Sequence, residues 1–214
     1  MLRALASLIQ TALDTILPRK ERVVRIASYS LEDLPVSPRE HEALGVSIIT
    51  LLEYSSAATQ DLVKALKYDR AGSAARLLAG ALHEYLREEI ANIRLFSTKP
   101  VILIPVPLHP SRLRERGFNQ IERVLQNLPD EFQDGTIARI NSTSLIRTRA
   151  TPQQTRLSRS ERLRNVASAF ALATDPGEVH IILIDDVTTT GATLAAAAEP
   201  LTGKTVTILA LAHA

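Results

Sequence analysis

The sequence predicts an α/β fold: a mainly parallel, twisted sheet flanked by helices and preceded by a helical appendage. Two observations predict it. The runs VILIPVP (101–107), VHIILIDDV (179–187) and TVTILALAHA (205–214) are almost wholly apolar, as strands buried on both faces must be. Between them stand segments with apolar residues at helical spacing, which parallel neighbours need as crossovers. The 214 residues suit one domain with an appendage, divided as 1–46 and 47–214. A chain of that length buries roughly 70% of its unfolded surface and needs no staple.

The first element is Leu2–Leu17, which carries leucines and isoleucines at helical spacing and is ended by Pro18. Gln10 and Asp14 interrupt the continuous apolar core that a signal peptide has. The polar face holds little basic charge, so the segment reads as a docking helix rather than a membrane-surface one. Residues 18–45 contain Pro35, Pro38 and many charges and read as an irregular connector. SIITLLEYS (47–55) is β-rich, ATQDLVKALKY (58–68) is amphipathic, and AARLLAGALHEYLREEIANI (74–93) continues as a longer helix. VILIPVP is a strand stopped by its prolines, and 117–128 reads as a helix. LIRTR (145–149) is a short strand, 151–166 a loop running into a basic helix, and SAFAL (168–172) another short strand. VHIILIDDV, GATLAAAAEPL and TVTILALAHA complete a strand–helix–strand unit.

The absence of cysteine excludes disulfides, thiolate zinc sites and a Cys nucleophile, and agrees with a reducing, cytoplasmic setting. His41, His83, His109, His180 and His213 show no metal-ligating spacing. No apolar run approaches the ~20 residues of a membrane span. The formal charge is only +2 and the pI about 9.1, with arginines concentrated between Arg112 and Arg164. Regional positive charge of this kind points to an anionic ligand rather than to general affinity for polyanions.

The most informative stretch is IILIDDVTTTGATL (181–194). A buried parallel strand delivers its last residues and the turn after them to the carboxyl edge of the sheet, where α/β proteins bind ligands. Asp185 and Asp186 are therefore expected where the strand ends, both reaching one ligand, and paired carboxylates accept from the hydroxyls of a vicinal diol. Thr189, Thr190, Gly191, Ala192 and Thr193 then lead into a helix, offering backbone N–H groups and hydroxyls to a phosphate. Gly191 is expected to remove a side chain that would hold the phosphate off. A Thr-rich helix cap explains the threonines and the glycine but not two adjacent acids. The stretch resembles the phosphoribosyl-pyrophosphate (PRPP) motif of type I phosphoribosyltransferases. AEPLTGKT (198–205) matches a relaxed phosphate-loop pattern, but a helix precedes it and a strand comes after, the reverse of the required order. Gly203 reads as a helix C-cap with Lys204 complementing the dipole.

Two further segments are basic. PVPLHPSRLRERGFNQ (105–120) places Arg112, Arg114 and Arg116 beside Gly117, Phe118, Asn119 and Gln120, a setting for a second anion such as pyrophosphate. His109 reads as a loop hydrogen-bonding group. RATPQQTRLSRSERLRNVASAF (149–170) repeats arginine through a polar loop and a helix, either closing over a charged ligand or lying solvated. In this order, these segments and LIDDVTTTGATL resemble the ComF/GntX family of phosphoribosyltransferase-like proteins. YSSAATQDLVKALKYDR (54–70) is similar to that family's helix ending in Lys-Tyr. The resemblance covers roughly residues 50–214. Family members commonly begin with a Cys-rich zinc segment, which residues 1–46 replace with something else.

The resemblance implies a type I phosphoribosyltransferase fold and transfer of 5-phosphoribosyl from PRPP with release of pyrophosphate, a glycosyltransferase reaction. It implies Mg²⁺ held mainly by PRPP, with no direct protein ligand. Ribose falls to Asp185 and Asp186, the 5-phosphate to Thr189–Thr193, and pyrophosphate to Arg112, Arg116, Gly117 and Asn119. Arg149, Gln154, Arg162 and Asn165 are candidates for a closing catalytic loop, and no residue stands out as a base for the acceptor. Some members of the family are linked to competence, which implies competence or recombination proteins as partners. A PRPP- or nucleotide-binding adaptor without catalysis is the alternative. Direct single-strand binding ranks last, because aromatics are 4% of the chain and do not interleave with the arginines.

Overall fold

The computed structural model describes residues 21–69, 71–149 and 169–214. The helix expected over Leu2–Leu17 and the basic helix expected within 151–166 lie outside these. Strands β1 (Val36–Ala43), β2 (Val46–Glu53), β3 (Val101–Pro105), β4 (Arg139–Ile140), β7 (His180–Thr188) and β8 (Thr205–His213) form one sheet in the order β1-β2-β8-β7-β3-β4. All its pairings are parallel except β1 with β2, an antiparallel hairpin. A separate antiparallel pair, β5 (Leu145–Arg147) and β6 (Phe170–Leu172), stands between β4 and β7 in the chain.

The expected mainly parallel sheet is present, and β3, β7 and β8 carry its buried centre. On β7, Ile181–Ile184 are fully buried because helices cover both faces. Ile182 and Ile184 join Leu209 and Leu211 under helices α2 (Ala57–Tyr68), α3 (Gly72–Phe96) and α5 (Gln120–Leu125). Ile181 and Leu183 pack on the other face with Leu194 and Ala197 of α6 (Ala192–Ala198), together with Leu145 and Phe170. Among the described residues no helix is long and apolar enough to cross a membrane.

Three local expectations are corrected. The connector expected over 18–45 contains helix α1 (Glu21–Ile26), a short 3₁₀ turn (Leu31–Asp33) and strand β1. Arg25 forms a two-point ion pair with Asp61 of α2, and Ile26 and Leu34 enter the core. The proline and charges of VSPREHEA mislead because an edge strand tolerates both, and the register shifts between Val36 and Arg39, around Pro38. The helix expected over 117–128 is two: α4 (Pro110–Arg116) ends at Gly117 (φ 82°), and α5 begins after Asn119. β4 is only two residues long and leaves no periodic trace. The phosphate-loop lookalike at 198–205 spans a 3₁₀ turn (Glu199–Leu201) and the start of β8. Gly203 (φ 88°) comes after that turn rather than after α6 directly, and Lys204 pairs with Asp175.

Candidate functional site

The site is set by where connections leave the sheet. From β3 the chain runs through α4 and α5 to β4, on the outer side of β3. From β7 it runs through α6 to β8, in the opposite direction. The carboxyl ends of β3 and β7 therefore flank a topological switch point, the place where open α/β sheets bind ligands. The β3–β7 ladder ends at Pro105–Ile184, capped by a bond from the Val106 N–H to the Ile184 carbonyl (2.8 Å). Beyond it, β7 continues from Asp185 to Thr188 beside β8 only.

Both acids lie within this overhang, and strand geometry separates them. Asp186 shares the face of Ile182 and Ile184, and Asp185 that of Ile181 and Leu183. Asp186 is 6% exposed, and its Oδ2 accepts from Gln120 Nε2 (2.6 Å) and pairs with Lys67 Nζ (2.9 Å). Its Oδ1 accepts from the Val187 N–H (2.6 Å). Asp185 is half-buried; its Oδ1 accepts from the Asp186 N–H (2.8 Å), and Oδ2 accepts from no described residue. The expectation that both carboxylates present themselves to one ligand is thus corrected. The strand runs two residues past the pair, so the pleat turns Asp186 inward and leaves Asp185 as the open acid. The Asp185 carboxyl is pushed up to about 7, first by burial and then by Asp186, against the pull of the Asp186 N–H, Lys67 and Arg147.

The turn after β7 is open. Among the described residues, nothing accepts a hydrogen bond from the amides of Thr189, Thr190, Gly191 or Ala192. Thr189 is exposed, Thr190 and Thr193 are half-buried, and Ala192 is buried, so Ala192 can offer only its backbone. Gly191 has a physical reason other than the one expected. Its φ is 73°, and a Cβ there would meet Ala43 Cβ at 2.7 Å and Ile48 Cδ1 at 2.8 Å. The missing side chain lets the turn seat on the β1–β2 hairpin.

On the β3 side, Arg112 and Arg116 are half-buried and Arg114 is exposed. Arg116 lies over the Tyr68 ring (5.9 Å) and donates to Gln120 Oε1 (3.1 Å), so Arg116, Gln120, Asp186 and Lys67 form one chain of contacts. Gly117 ends α4, its N–H donating to the Leu113 carbonyl (2.7 Å). Asn119 caps α5: Oδ1 accepts from the Ile121 and Glu122 amides, and Nδ2 donates to the Val106 carbonyl (2.9 Å). The Gly117 N–H and the Asn119 Oδ1 shape the loop, and Asn119 Nδ2 carries a second N–H beyond the one given to Val106. His109 is the loop hydrogen-bonding group expected, its Nδ1 lying 2.7 Å from Ser111 Oγ.

Sequence reasoning missed Lys67, Gln120 and Arg147 as site residues. Arg147 is buried on β5 over the Phe170 ring (5.1 Å). Burial and then Arg112 lower its pKa, and Asp185 opposes them. Lys67 had a trace in the Lys-Tyr helix end, whereas nothing local marks Gln120 or Arg147. Arg149 is exposed at the last described position before 150–168; Gln154, Arg162 and Asn165 lie outside the described residues. No three His, Asp or Glu side chains come together as a metal site among the described residues.

No protein-family model matches the chain. It is similar to DNA utilization protein YhgH of Escherichia coli O6:H1, 33% identical over 156 residues, covering 72% of this chain and 65% of that protein. Competence protein F of Haemophilus influenzae is 33% identical over 136 residues, covering 62% and 57% respectively. Competence protein ComFC of Streptococcus pneumoniae is 29% identical over 153 residues, covering 72% and 60%. The chain spans less than two thirds of the length of each of these relatives. A hypoxanthine phosphoribosyltransferase structure from Staphylococcus aureus is similar over 64% of this chain and 61% of that one, at 15% identity and a TM-score of 0.30, too distant to carry weight. With the acidic pair, the Thr-rich turn and the arginine loop gathered at one sheet edge, and with these relatives, the chain resembles the ComF family of competence and DNA utilization proteins.

Proposed function

We propose that the crevice between β3 and β7 binds PRPP and that the protein transfers its 5-phosphoribosyl group to an acceptor, releasing pyrophosphate. The observation that carries this reading is the set of open amides at Thr189–Ala192, directly beyond the open oxygen of Asp185. The ribose hydroxyls donate to Asp185 Oδ2. Asp186, held by Lys67 and Gln120, supports the wall from behind. The 5-phosphate accepts from the turn amides and from the hydroxyls of Thr189, Thr190 and Thr193. Arg112 and Arg116 face the leaving pyrophosphate, and Arg149 is a candidate catalytic residue; Gln154, Arg162 and Asn165, the other candidates, lie outside the described residues. Such a site works by positioning and by stabilising the charge that grows on the departing group.

Mg²⁺ fits this donor set only as an ion carried by PRPP. Both oxygens of Asp186 are engaged, so among the described residues the acid pair offers a single free oxygen, and Mg²⁺ keeps most of its shell from phosphate and water. When bound, it neutralises charge on pyrophosphate.

The names of the relatives, DNA utilization and competence proteins, support a role in DNA utilization or competence. Competence or recombination proteins would be its partners, and the cytoplasm its setting. One observation favours a second reading, a PRPP- or nucleotide-binding adaptor without turnover. Among the described residues no group is set up as a base for the acceptor, and one of the two acids is locked in an ion pair. Measuring pyrophosphate release from PRPP and Mg²⁺ with a panel of purine and pyrimidine bases decides between them. Release with an acceptor establishes the transferase; binding of PRPP without release under any acceptor leaves the adaptor.

A further inference from the structure

A second cavity, of about 390 Å³, opens at the carboxyl edge of β2 and β8, away from the β3–β7 crevice. Its volume falls in the range of small-molecule sites. Strand register places it: Thr188 of β7 pairs with His213 of β8, and His213 pairs with Glu53 of β2. The cavity therefore lies on the far side of the Thr188 turn from Arg112 and Arg116.

Its wall contains two stacked rings. His41 and His213 lie 4.6 Å apart between centroids and 24° from parallel. His41 is fixed in orientation by a 3.1 Å bond between Nε2 and Thr50 Oγ1. A third planar ring laid on such a pair extends the stack, the arrangement aromatic faces prefer. The polar groups around the rings both donate and accept. The hydroxyls of Tyr54 and Ser37, the ring nitrogens of His213 and Gln60 Nε2 have no partner among the described residues. Gln60 Oε1 accepts from Lys64, and Oε1 of the Glu53 carboxylate pairs with Arg39 (2.6 Å). A stacked pair beside polar groups of both kinds suits a planar ring that carries donors and acceptors along its edge.

We propose that this cavity is a second binding site, for a planar nitrogen heterocycle with donors and acceptors along its edge, free or as its nucleoside. Both of its walls hold the turn after β7. The Ala214 N–H donates to the Thr188 carbonyl (2.9 Å), and Gly191 seats on Ala43 and Ile48 of the hairpin that carries His41. The site stands whatever the β3–β7 crevice binds.

Nuclear magnetic resonance of the histidine ring signals in the full chain tests it, with uracil, hypoxanthine, adenine and their nucleosides as probes and ribose and cyclohexanol as non-aromatic controls. At least one heterocycle or its nucleoside should shift the His41 and His213 ring signals saturably, with both controls silent. His213→Ala should weaken binding at least tenfold. Gln60→Ala, a helix-surface change that cannot unfold the chain, should weaken it severalfold. Absence of any shift at millimolar probe overturns the proposal. Equal shifts with the non-aromatic controls overturn the selection of a planar ring, and affinity unchanged in both variants places the ligand elsewhere and overturns the site.

Discussion

Lys67 Nζ lies 2.9 Å from Asp186 Oδ2, and this ion pair fastens the end of α2 to the central strand β7. Asp186 cannot find water instead, since its side chain is 8% exposed, while Lys67 keeps 20% of its own surface in the crevice. Lys67→Met strands a buried carboxylate and should lower stability by about 3 kcal/mol, seen as a fall in the thermal midpoint. Adding Asp186→Asn should recover part of that loss, because the stranded charge goes with it. Additive losses in the double variant would show that the pair is not coupled.

Asp185 makes stability depend on pH in a definite direction. Its folded value of about 7 stands above the ordinary 3.8, so the native chain holds a proton that the unfolded chain releases. The stability linked to that proton is complete below about pH 4 and is lost as pH rises through 7. Asp185→Asn fixes the neutral form and keeps an Oδ1 for the Asp186 N–H. Its thermal midpoint should exceed that of the parent chain at pH 8 and approach it at pH 5. A constant difference across that range would contradict the assignment.

Gly191 and Gly177 separate strain from crowding. Both have positive φ, at 73° and 82°, but only at Gly191 does a Cβ collide, with Ala43 and Ile48. Gly177→Ala should cost about 1 kcal/mol in denaturant unfolding, the strain alone. Gly191→Ala should cost about 2–4 kcal/mol, since overpacking is added. Ala43→Gly in the Gly191→Ala background should return part of the difference.

Asn119 is a structural residue within a binding loop. Asn119→Ala removes the α5 cap and the bond to the Val106 carbonyl, so about 1–2 kcal/mol of stability should be lost. Measured below its melting range, the variant should bind ligand with affinity close to that of the parent. A large affinity loss with unchanged stability would place Asn119 among the pyrophosphate contacts.

How far the sequence was legible depended on the range of the interactions. β3, β7 and β8 were readable because burial on both faces demands unbroken aliphatic runs such as Ile181–Ile184. Strand β1 was not, because its place is decided by pairing with β2, and its own residues, Pro38 among them, suit a loop equally well. Asp185 and Asp186 stood out as a pair, yet their division of labour depends on Lys67, 119 positions away from Asp186, and on Gln120 from a third element. Arg147 looked like one more arginine in a basic region, and only Phe170, across the β5–β6 pair, makes it a buried one. Gly191 was marked correctly as special, but the neighbour that demands it belongs to a hairpin nearly 150 residues earlier.

Calorimetric titration with PRPP and Mg²⁺ at pH 8, where the Asp185 carboxyl is ionised, tests the central claim most directly, run in parallel on the parent chain and on Asp185→Asn. The account predicts saturable binding to the parent and a loss of about 1–3 kcal/mol in the variant, the worth of a hydrogen bond to a charged acceptor. No heat of binding with the parent, or equal affinity in both, would mean that the overhang of β7 grips no sugar diol.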